Sequence, residues 1–336
     1  MVPFVPSVPF VPSVPFVPSV PFVPSVPSVS AKCYYRMRLP IFLRSLAMRI
    51  MLAEYSVCTG LGAAIRKEGA AMLYTLKDAF EAAGCTLDVP GDFGDGLRRS
   101  ARASDCGLVI APDDLLADYT AAVESACINL GSPSAAVRLC ADKLETTRLL
   151  LHNGLPAPRI VRESGVRCVV KPRFGCGSEG VFVSDGPVEK EGFISTELIE
   201  GEHLSVTLVG GMDRVLPLSL NRQHIRMDGA VAYDGNDVNI EHPAREAIFR
   251  IARATGDMLG CRGLFGVDVV FNGLPYVVDV NPRPTTSIVG VARTIDRSLA
   301  DLVLLARFGG LPEGVGRTGS CSFTKKDLEA FLRRSA

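Results

Sequence analysis

Apolar runs and amphipathic stretches alternate along residues 49–127 in a strand–helix–strand–helix order. The runs at residues 49–53 and 108–111 are short and apolar, which favours strands, whereas residues 69–83 and 115–127 place apolar side chains at helical spacing. Alternation of this kind is typical of parallel strands that are connected through helices. The pattern predicts an N-terminal α/β domain over residues 48–132.

A polar cluster at residues 131–134 predicts a linker, and a helix is predicted to follow at residues 143–152. Asp142 can cap this helix, because Glu145 stands at the third helical position as in a capping box. Strand-like runs dominate from there onward, so the second domain, residues 133–310, is predicted to be α+β with a smaller subdomain at about residues 155–200. Residues 311–336 are predicted to be a C-terminal extension.

Residues 2–25 consist of four copies of the hexapeptide Val-Pro-Phe-Val-Pro-Ser. Proline excludes helix and removes backbone donors, so residues 1–47 are predicted to be an extended or disordered tail. Two interpretations stay open for this tail. It is either a proline-rich ligand for a partner protein or a repeat expansion upstream of a start at Met48 or Met51.

Charge and cysteine usage narrow the class of partner. Lysine plus arginine equal aspartate plus glutamate at 36 each, so no net charge draws the protein to nucleic acid or anionic lipid. Small-molecule partners are expected, and a homo-oligomer stays open. The ten cysteines form no C-x-x-C pair, and no apolar run is long enough to span a membrane, which together predict a cytoplasmic protein with reduced thiols.

A glycine-rich loop with the spacing G-x-G-x-x-G occupies residues 175–180. A dinucleotide site would require a helix after such a loop, but the run at residues 181–184 is strand-like, so the loop is predicted to cap a hairpin. Its backbone N–H groups and Lys171, at the end of the preceding strand, could bind phosphate groups. Taken alone, the same loop could also be a plain flexible turn.

A second hairpin is predicted around Asn272-Gly273, the dipeptide preferred in two-residue type I′ turns. That turn would pair Phe271 with Leu274 and place Asp268 opposite Val277, one diagonal step from Asp279.

Because side chains alternate along strands, Asp268, Asp279 and Asn281 are expected to project from one face of this hairpin. Two carboxylates and an amide oxygen are hard ligands that suit Mg²⁺ or Mn²⁺. The alternative is an exposed strand face with scattered acids, but the valine-rich surroundings favour a buried hairpin, in which acids need partners.

Arg283 follows in a loop that Pro282 and Pro284 stiffen. Its guanidinium could stabilise negative charge on a transferred phosphoryl group or an acyl oxygen. A surface salt bridge is the alternative for this residue.

The order of these motifs resembles that of the ATP-grasp superfamily over nearly all of residues 49–308. The resemblance implies that ATP lies between two α+β subdomains. It also implies roles by position. Lys143 and Lys171 match the nucleotide-binding lysines, and Asp268, Asp279 and Asn281 match the magnesium triad. The mobile lid matches Cys176, Gly177, Ser178, Glu179 and Gly180, the adenine hinge matches Glu197, Leu198 and Ile199, and a ribose or phosphate contact matches Glu202 or His203. The chain departs from the common pattern at Thr196 and Asp279, where glutamate is more usual.

More narrowly, the segments at residues 54–60, 68–73, 109–112 and 281–287 are similar to those of archaeal tyramine–L-glutamate ligases of methanofuran biosynthesis. This resemblance implies that ATP phosphorylates the γ-carboxylate of glutamate and that tyramine attacks the acyl phosphate. Lys171 and Arg283 would be the catalytic residues. The alternatives are an ATP-grasp ligase for another amine and amino acid, and a nucleotide-binding protein that has lost catalysis.

Overall fold

The computed structural model describes residues 48–175, 179–228 and 230–334. The predicted tail at residues 1–47 lies outside the described residues. The same is true of Cys176, Gly177 and Ser178, which were predicted to belong to the lid.

The N-terminal part is built on a parallel sheet with helices around it. Its strands are β1 (Arg49–Glu54), β2 (Thr86–Asp88), β3 (Cys106–Ile110) and β4 (Ile128–Asn129). Its helices are α1 (Tyr55–Cys58), α2 (Ala63–Ala82), α3 (Asp95–Ala103), α4 (Asp113–Glu124) and α5 (Ser134–Ala141). The strand order is β2-β1-β3-β4 with all pairs parallel, which confirms the predicted parallel α/β domain.

Strand β1 is buried along nearly its whole length because helices pack on both faces of this sheet. Met51 and Ala53 lie in the core that includes α3 and α4, while Leu76 and Phe80 of α2 are also fully buried. Helix α2 begins at Ala63, earlier than the predicted start at residue 69. Gly62 precedes the helix without a side chain that could cap it, so the usual sequence signal for a helix start is absent.

The second part is built on an antiparallel sheet. Its strands are β5 (Cys168–Pro172), β6 (Phe182–Ser184), β7 (Phe193–Glu197), β8 (Glu202–Gly210), β9 (Val215–Asp228), β10 (Ala230–Val238), β11 (Gly263–Phe271), β12 (Pro275–Asn281) and β13 (Cys321–Thr324). Its helices are α6 (Lys143–His152), α7 (Arg245–Leu259), α8 (Ile288–Thr294), α9 (Leu299–Phe308) and α10 (Glu329–Leu332). The strand order is β12-β11-β8-β9-β10-β6-β5-β7, and β13 pairs with β10.

This sheet has one apolar and one polar face where β8, β9 and β11 run side by side. Leu204, Val206 and Leu208 belong to the core that α7 covers. The alternate residues face the other way, because side chains alternate along a strand. There Asn221 donates hydrogen bonds to Ser205 (3.3 Å) and Thr207 (3.2 Å). The polar face is the one from which Asp268 projects, since Asp268 is directly opposite Ser205.

The predicted hairpin, whose two strands flank the glycine-rich loop, is confirmed. Strands β5 and β6 are antiparallel, with Val169 opposite Val183, and β7 pairs on the other side of β5. Val161, Cys168 and Val170 form a small core of their own beneath these strands. We call β5, β6 and β7 the lid sheet.

The predicted register of the β11–β12 hairpin is wrong. Phe271 pairs with Pro275 rather than Leu274, so the connection has three residues, with Gly273 at φ 104°. A bulge then leaves Val278 without a direct partner and sets Asp268 opposite Asp279 rather than opposite Val277. Asp268 and Asp279 are therefore closer neighbours than the two-residue turn implied.

Residues 321–334, which we call the C-terminal segment, return to both parts of the structure. Strand β13 pairs antiparallel with β10. The segment then contacts helix α2, where Arg334 forms a bidentate ion pair with Asp78 (2.6 and 2.7 Å). Among the described residues, no helix has both the length and the apolar character needed to cross a membrane.

Candidate active site

Two acids face each other at the centre of the polar face. Asp268 on β11 is opposite Asp279 on β12, and both oxygens of Asp268 accept hydrogen bonds, from Gln223 (3.0 Å) and Asn281 (3.2 Å). Burial, and then the negative charge of Asp279, raise the pKa of Asp268 to about 7. We call Asp268 and Asp279 the acid pair. Its mutual repulsion makes the position attractive to a cation.

Lys143 reaches the acid pair from the first position of helix α6. As predicted, Asp142 caps this helix by accepting from the backbone N–H groups of Leu144 and Glu145. The Lys143 side chain is only 8% exposed, with Nζ 3.2 Å from Asp279 and 3.6 Å from Asp113. Burial opposes its charge, but the two carboxylates outweigh this and raise the pKa of Lys143. Its Nζ has no partner in good hydrogen-bond geometry within the described residues.

Lys171 reaches the same place from the lid sheet. Its ammonium donates a 2.7 Å hydrogen bond to the carbonyl oxygen of Val278, the residue that the bulge releases from strand pairing. Burial lowers the pKa of Lys171 to about 8, although Asp279 partly offsets the effect. The bulge thus both aligns the acid pair and supplies the anchor for this lysine.

Arg283 lies beside this cluster and contacts an acid that sequence reasoning missed. Its Nε donates to Asp113 (3.3 Å), which is 2% exposed at the start of helix α4 in the N-terminal part. Burial raises the pKa of Asp113, and Arg283 and Lys143 counteract this. In the sequence Asp113 follows Pro112 and looks like an ordinary acid in the first turn of a helix. No local pattern indicates that it lies between two cations.

Glu54 is a second acid of the N-terminal part near Arg283. It ends β1, is 5% exposed, and accepts hydrogen bonds from the Ser56 hydroxyl and the Val57 N–H, both 2.8 Å. Burial raises its pKa, while Arg283 is close enough to lower it. Gly69 is needed alongside, because a Cβ there would lie 2.3 Å from the carboxylate carbon of Glu54.

The remaining predicted residues occupy the sheet ends around this cluster. Glu197 ends β7 and pairs with Arg159 at 3.4 Å, and Leu198 and Ile199 follow it. Glu202 starts β8, where it pairs with Arg222 (2.9 Å) and His242 (3.3 Å).

His203 is half-buried on β8, opposite Val270. It therefore shares the polar face with Asp268, which precedes Val270 by two residues on β11. Glu179 and Gly180 are exposed at the end of the glycine-rich loop.

The donor set at the acid pair fits a hard divalent cation. Asp268 and Asp279 supply carboxylate oxygens, and Asn281 turns its Nδ2 toward Asp268, so its Oδ1 is left for another partner. Within the described residues no three His, Cys, Asp or Glu side chains cluster in a metal-binding arrangement. A cation here would therefore need Asn281 and oxygens from a ligand such as a phosphate group.

Family profiles match both parts of the chain. The profile described as "ATP-grasp domain" matches residues 140–287, which hold Lys143, Lys171, the acid pair and Arg283. This part of the chain is an ATP-grasp domain. A "pre ATP-grasp 3 domain" profile matches residues 73–137 and accounts for the N-terminal α/β part.

Similar proteins agree with the ATP-grasp assignment. The chain is 36% identical over 204 residues to the tyramine–L-glutamate ligase of Methanocaldococcus fervens, covering 60% of this chain and 65% of that protein. It is also 36% identical over 206 residues to the enzyme of the same name from Methanocaldococcus jannaschii, covering 60% and 62%. The chain thus spans less than two thirds of the length of both relatives.

Among solved structures, an ATP-grasp superfamily protein from Archaeoglobus fulgidus is similar with a TM-score of 0.68 and 29% identity, covering 81% of this chain and 91% of that one. The predicted ATP-grasp fold is confirmed.

Proposed function

We propose that the protein is an ATP-dependent carboxylate–amine ligase that joins tyramine to the γ-carboxylate of L-glutamate. The observation that carries this proposal is that Lys143 and Lys171 reach the acid pair within an ATP-grasp domain. Arg283 joins the same cluster through Asp113, which also contacts Lys143. The 36% identity to the two tyramine–L-glutamate ligases supports the choice of substrates. The reaction consumes ATP, passes through an acyl phosphate and releases ADP and phosphate.

The two lysines bind the phosphate groups of ATP. The Nζ of Lys143 carries N–H donors that no described residue accepts in good geometry, and phosphate oxygens are strong acceptors for them. Lys171 is held by one hydrogen bond and keeps its other donors. With a pKa of about 8 the group is mostly charged at neutral pH, and an approaching anion favours the charged form further.

Arg283 stabilises the charge that develops on the reacting carboxyl and phosphoryl oxygens. Asp113 accepts from Nε and the Pro284 carbonyl oxygen accepts from Nη1, both at 3.3 Å, so the guanidinium is held in a fixed orientation. A pre-positioned cation in a partly dry cleft is worth far more than the same cation in water.

In this proposal Asp268, Asp279 and Asn281 hold Mg²⁺ or Mn²⁺, and the residues at the sheet ends contact the nucleotide. A cation held by these residues would supply positive charge against the phosphate groups. Glu197, Leu198 and Ile199 contact adenine, and Glu202 or His203 contacts the ribose or a phosphate. The predicted lid, residues 176–180, would cover the phosphates, so that water does not hydrolyse the acyl phosphate.

The decisive experiment measures ADP release with Mg²⁺, ATP and pairwise combinations of amines and amino acids, and identifies products by mass. We expect the highest kcat/KM with tyramine and L-glutamate and a product linked through the γ-carboxylate. Turnover only with other pairs would refute the choice of substrates and leave the ligase chemistry. ATP binding without turnover of any pair would instead favour a nucleotide-binding protein that has lost catalysis.

A further inference from the structure

An ion pair of unassigned role lies against the loop that carries Arg283. Glu68 on α2 and Lys325 on the C-terminal segment approach to 2.7 Å. The second oxygen of Glu68 accepts a 3.2 Å hydrogen bond from Thr286, three residues after Arg283. The Nζ of Lys325 is 5.3 Å from the ring centre of Tyr233 on β10. Helix α2, the Arg283 loop, β10 and the C-terminal segment all meet at this pair.

The pair differs from its neighbours on the same two elements. Lys67 and Glu329 are 3.9 Å apart, and Asp78 pairs with Arg334 at 2.6 Å, so both link α2 to the C-terminal segment alone. Those contacts join the segment to the helix without Glu68 or Lys325. Glu68 and Lys325 additionally contact Thr286 and Tyr233, which belong to elements that build the active site.

Tyr233 connects the pair to the polar face. Its hydroxyl oxygen accepts a 2.8 Å hydrogen bond from Asn236, so its own proton can go to another acceptor. Asn236 is opposite Gln223, the residue that donates to Asp268. Burial raises the pKa of Tyr233, and the charges of Glu68 and Asp268 are both near enough to add to the effect.

Both charged groups can take a further partner. Glu68 and Lys325 keep 25% and 30% of their side-chain surface exposed, although each is already held in place. A carboxylate accepts about four hydrogen bonds and an ammonium donates three, so neither group is saturated. An anion and a cation fixed side by side complement a ligand that carries the opposite charges side by side.

We propose that Glu68 and Lys325 bind the α-amino acid substrate by its zwitterionic end. Glu68 accepts from the α-ammonium group, and Lys325 donates to the α-carboxylate. This inference rests on the proposed ligase function and adds the site that selects an amino acid as the carboxylate substrate. It leaves the side-chain carboxyl group of the substrate free to reach Arg283, whose loop already contacts Glu68 through Thr286.

Single variants and substrate analogues test the contact to the ammonium group and the contact to the carboxylate separately. Glu68→Gln and Lys325→Met should each raise KM for L-glutamate about tenfold or more, since each loses one charged hydrogen bond, while KM for ATP stays within about threefold. Against N-acetyl-L-glutamate, which lacks the ammonium, Glu68→Gln should change kcat/KM little. Against 4-aminobutyrate, which lacks the α-carboxylate, Lys325→Met should change it little.

A charge exchange separates recognition from docking. The double variant Glu68→Lys/Lys325→Glu restores an ion pair between the same elements, so its thermal stability should return toward that of the wild type. Its KM for L-glutamate should stay raised, because the two charges now face the wrong ends of the zwitterion. The matched control is Lys67→Glu/Glu329→Lys, the neighbouring pair, for which KM should match that of the wild type.

Recovery of KM in the exchanged variant, or single variants with unchanged KM for L-glutamate, would overturn the inference and leave a docking contact. If the wild type turns over a different amino acid, the same variants are measured with that one. If no pair is turned over, calorimetric titration of L-glutamate into the wild type and both single variants measures the affinity directly, and both variants should bind more weakly than the wild type. Binding that is equal in all three, or absent in all three, refutes the site.

Discussion

Replacing the buried Lys171 by methionine is expected to stabilise the ligand-free protein near neutral pH and to abolish ATP-dependent turnover. Lys171 is 8% exposed, and burial lowers its pKa from an ordinary 10.5 to about 8. A difference of that size corresponds to about 3 kcal/mol of destabilisation while the lysine is charged. Methionine has a similar length and carries no charge, so it avoids the cost of burying the ammonium group. It leaves the Val278 carbonyl oxygen without its donor.

The lost hydrogen bond costs about 1–2 kcal/mol, so the net gain at pH 7 should be about 1–2 kcal/mol. Its pH dependence is the sharper test. Above pH 8 the folded protein releases the Lys171 proton while the unfolded chain keeps it up to about pH 10.5, so wild-type stability recovers over this range. The advantage of Lys171→Met should therefore shrink by about 2 kcal/mol between pH 7 and pH 9.5.

Urea unfolding at both pH values, with and without Mg²⁺ and ATP, measures the effect. Lys326→Met at an exposed position is the matched control and should change stability equally at pH 7 and pH 9.5. An advantage that does not vary with pH, or a variant less stable than the wild type at both pH values, would refute the assigned burial penalty. Retained turnover would refute the role of Lys171 in phosphate binding.

Three further changes test the cluster and the core beneath it. Asp279→Ala should lower kcat for ADP release by about 10³ or more with an unchanged circular dichroism spectrum, since half of the acid pair is lost. Arg283→Lys keeps the charge but loses the fork held by Asp113, so kcat should fall by about 10² while KM for ATP changes little; equal losses in both would indicate a simple binding role. Gly256→Ala places a Cβ 2.4 Å from the Phe265 ring and should destabilise by about 1–3 kcal/mol in urea unfolding, whereas Gly62→Ala, with nothing within 4 Å, should change stability far less.

Local sequence patterns predicted the helix and the strands that carry the candidate site, but not the register of the β11–β12 hairpin. The cap at Asp142, the β5–β6 hairpin and the shared face of Asp268 and Asp279 each follow from neighbouring residues, and the structure has all three. The predicted register is wrong at Asn272-Gly273, because this dipeptide does not form a two-residue turn here. Leu274 instead joins the loop and is 57% exposed, which shifts the pairing, and the bulge at Val278 shifts it again. The carbonyl oxygen at the bulge accepts from Lys171, a residue that is distant in sequence, so no pattern within the hairpin indicates this contact.

The residues assigned by resemblance alone stay predictions. Glu197, Leu198 and Ile199 lie at the end of a strand, as an adenine hinge would, but strand ends are common and their contacts need the nucleotide. The limits of the predicted domains also stay predictions. Glu68 and Lys325 could not be paired from the sequence, because their contact requires the C-terminal segment to return to α2.

Charge balance offers a way to find a residue such as Asp113 that local patterns miss. The predicted cluster holds three cations, Lys143, Lys171 and Arg283, against the two acids of the acid pair, an excess of one positive charge. Buried charges need partners, so a cluster this enclosed requires a further anion close to the cations even before ATP arrives. Asp113 meets that requirement at 3.3 Å from Arg283 and 3.6 Å from Lys143. Because it comes from helix α4, the N-terminal part contributes a residue to the candidate active site.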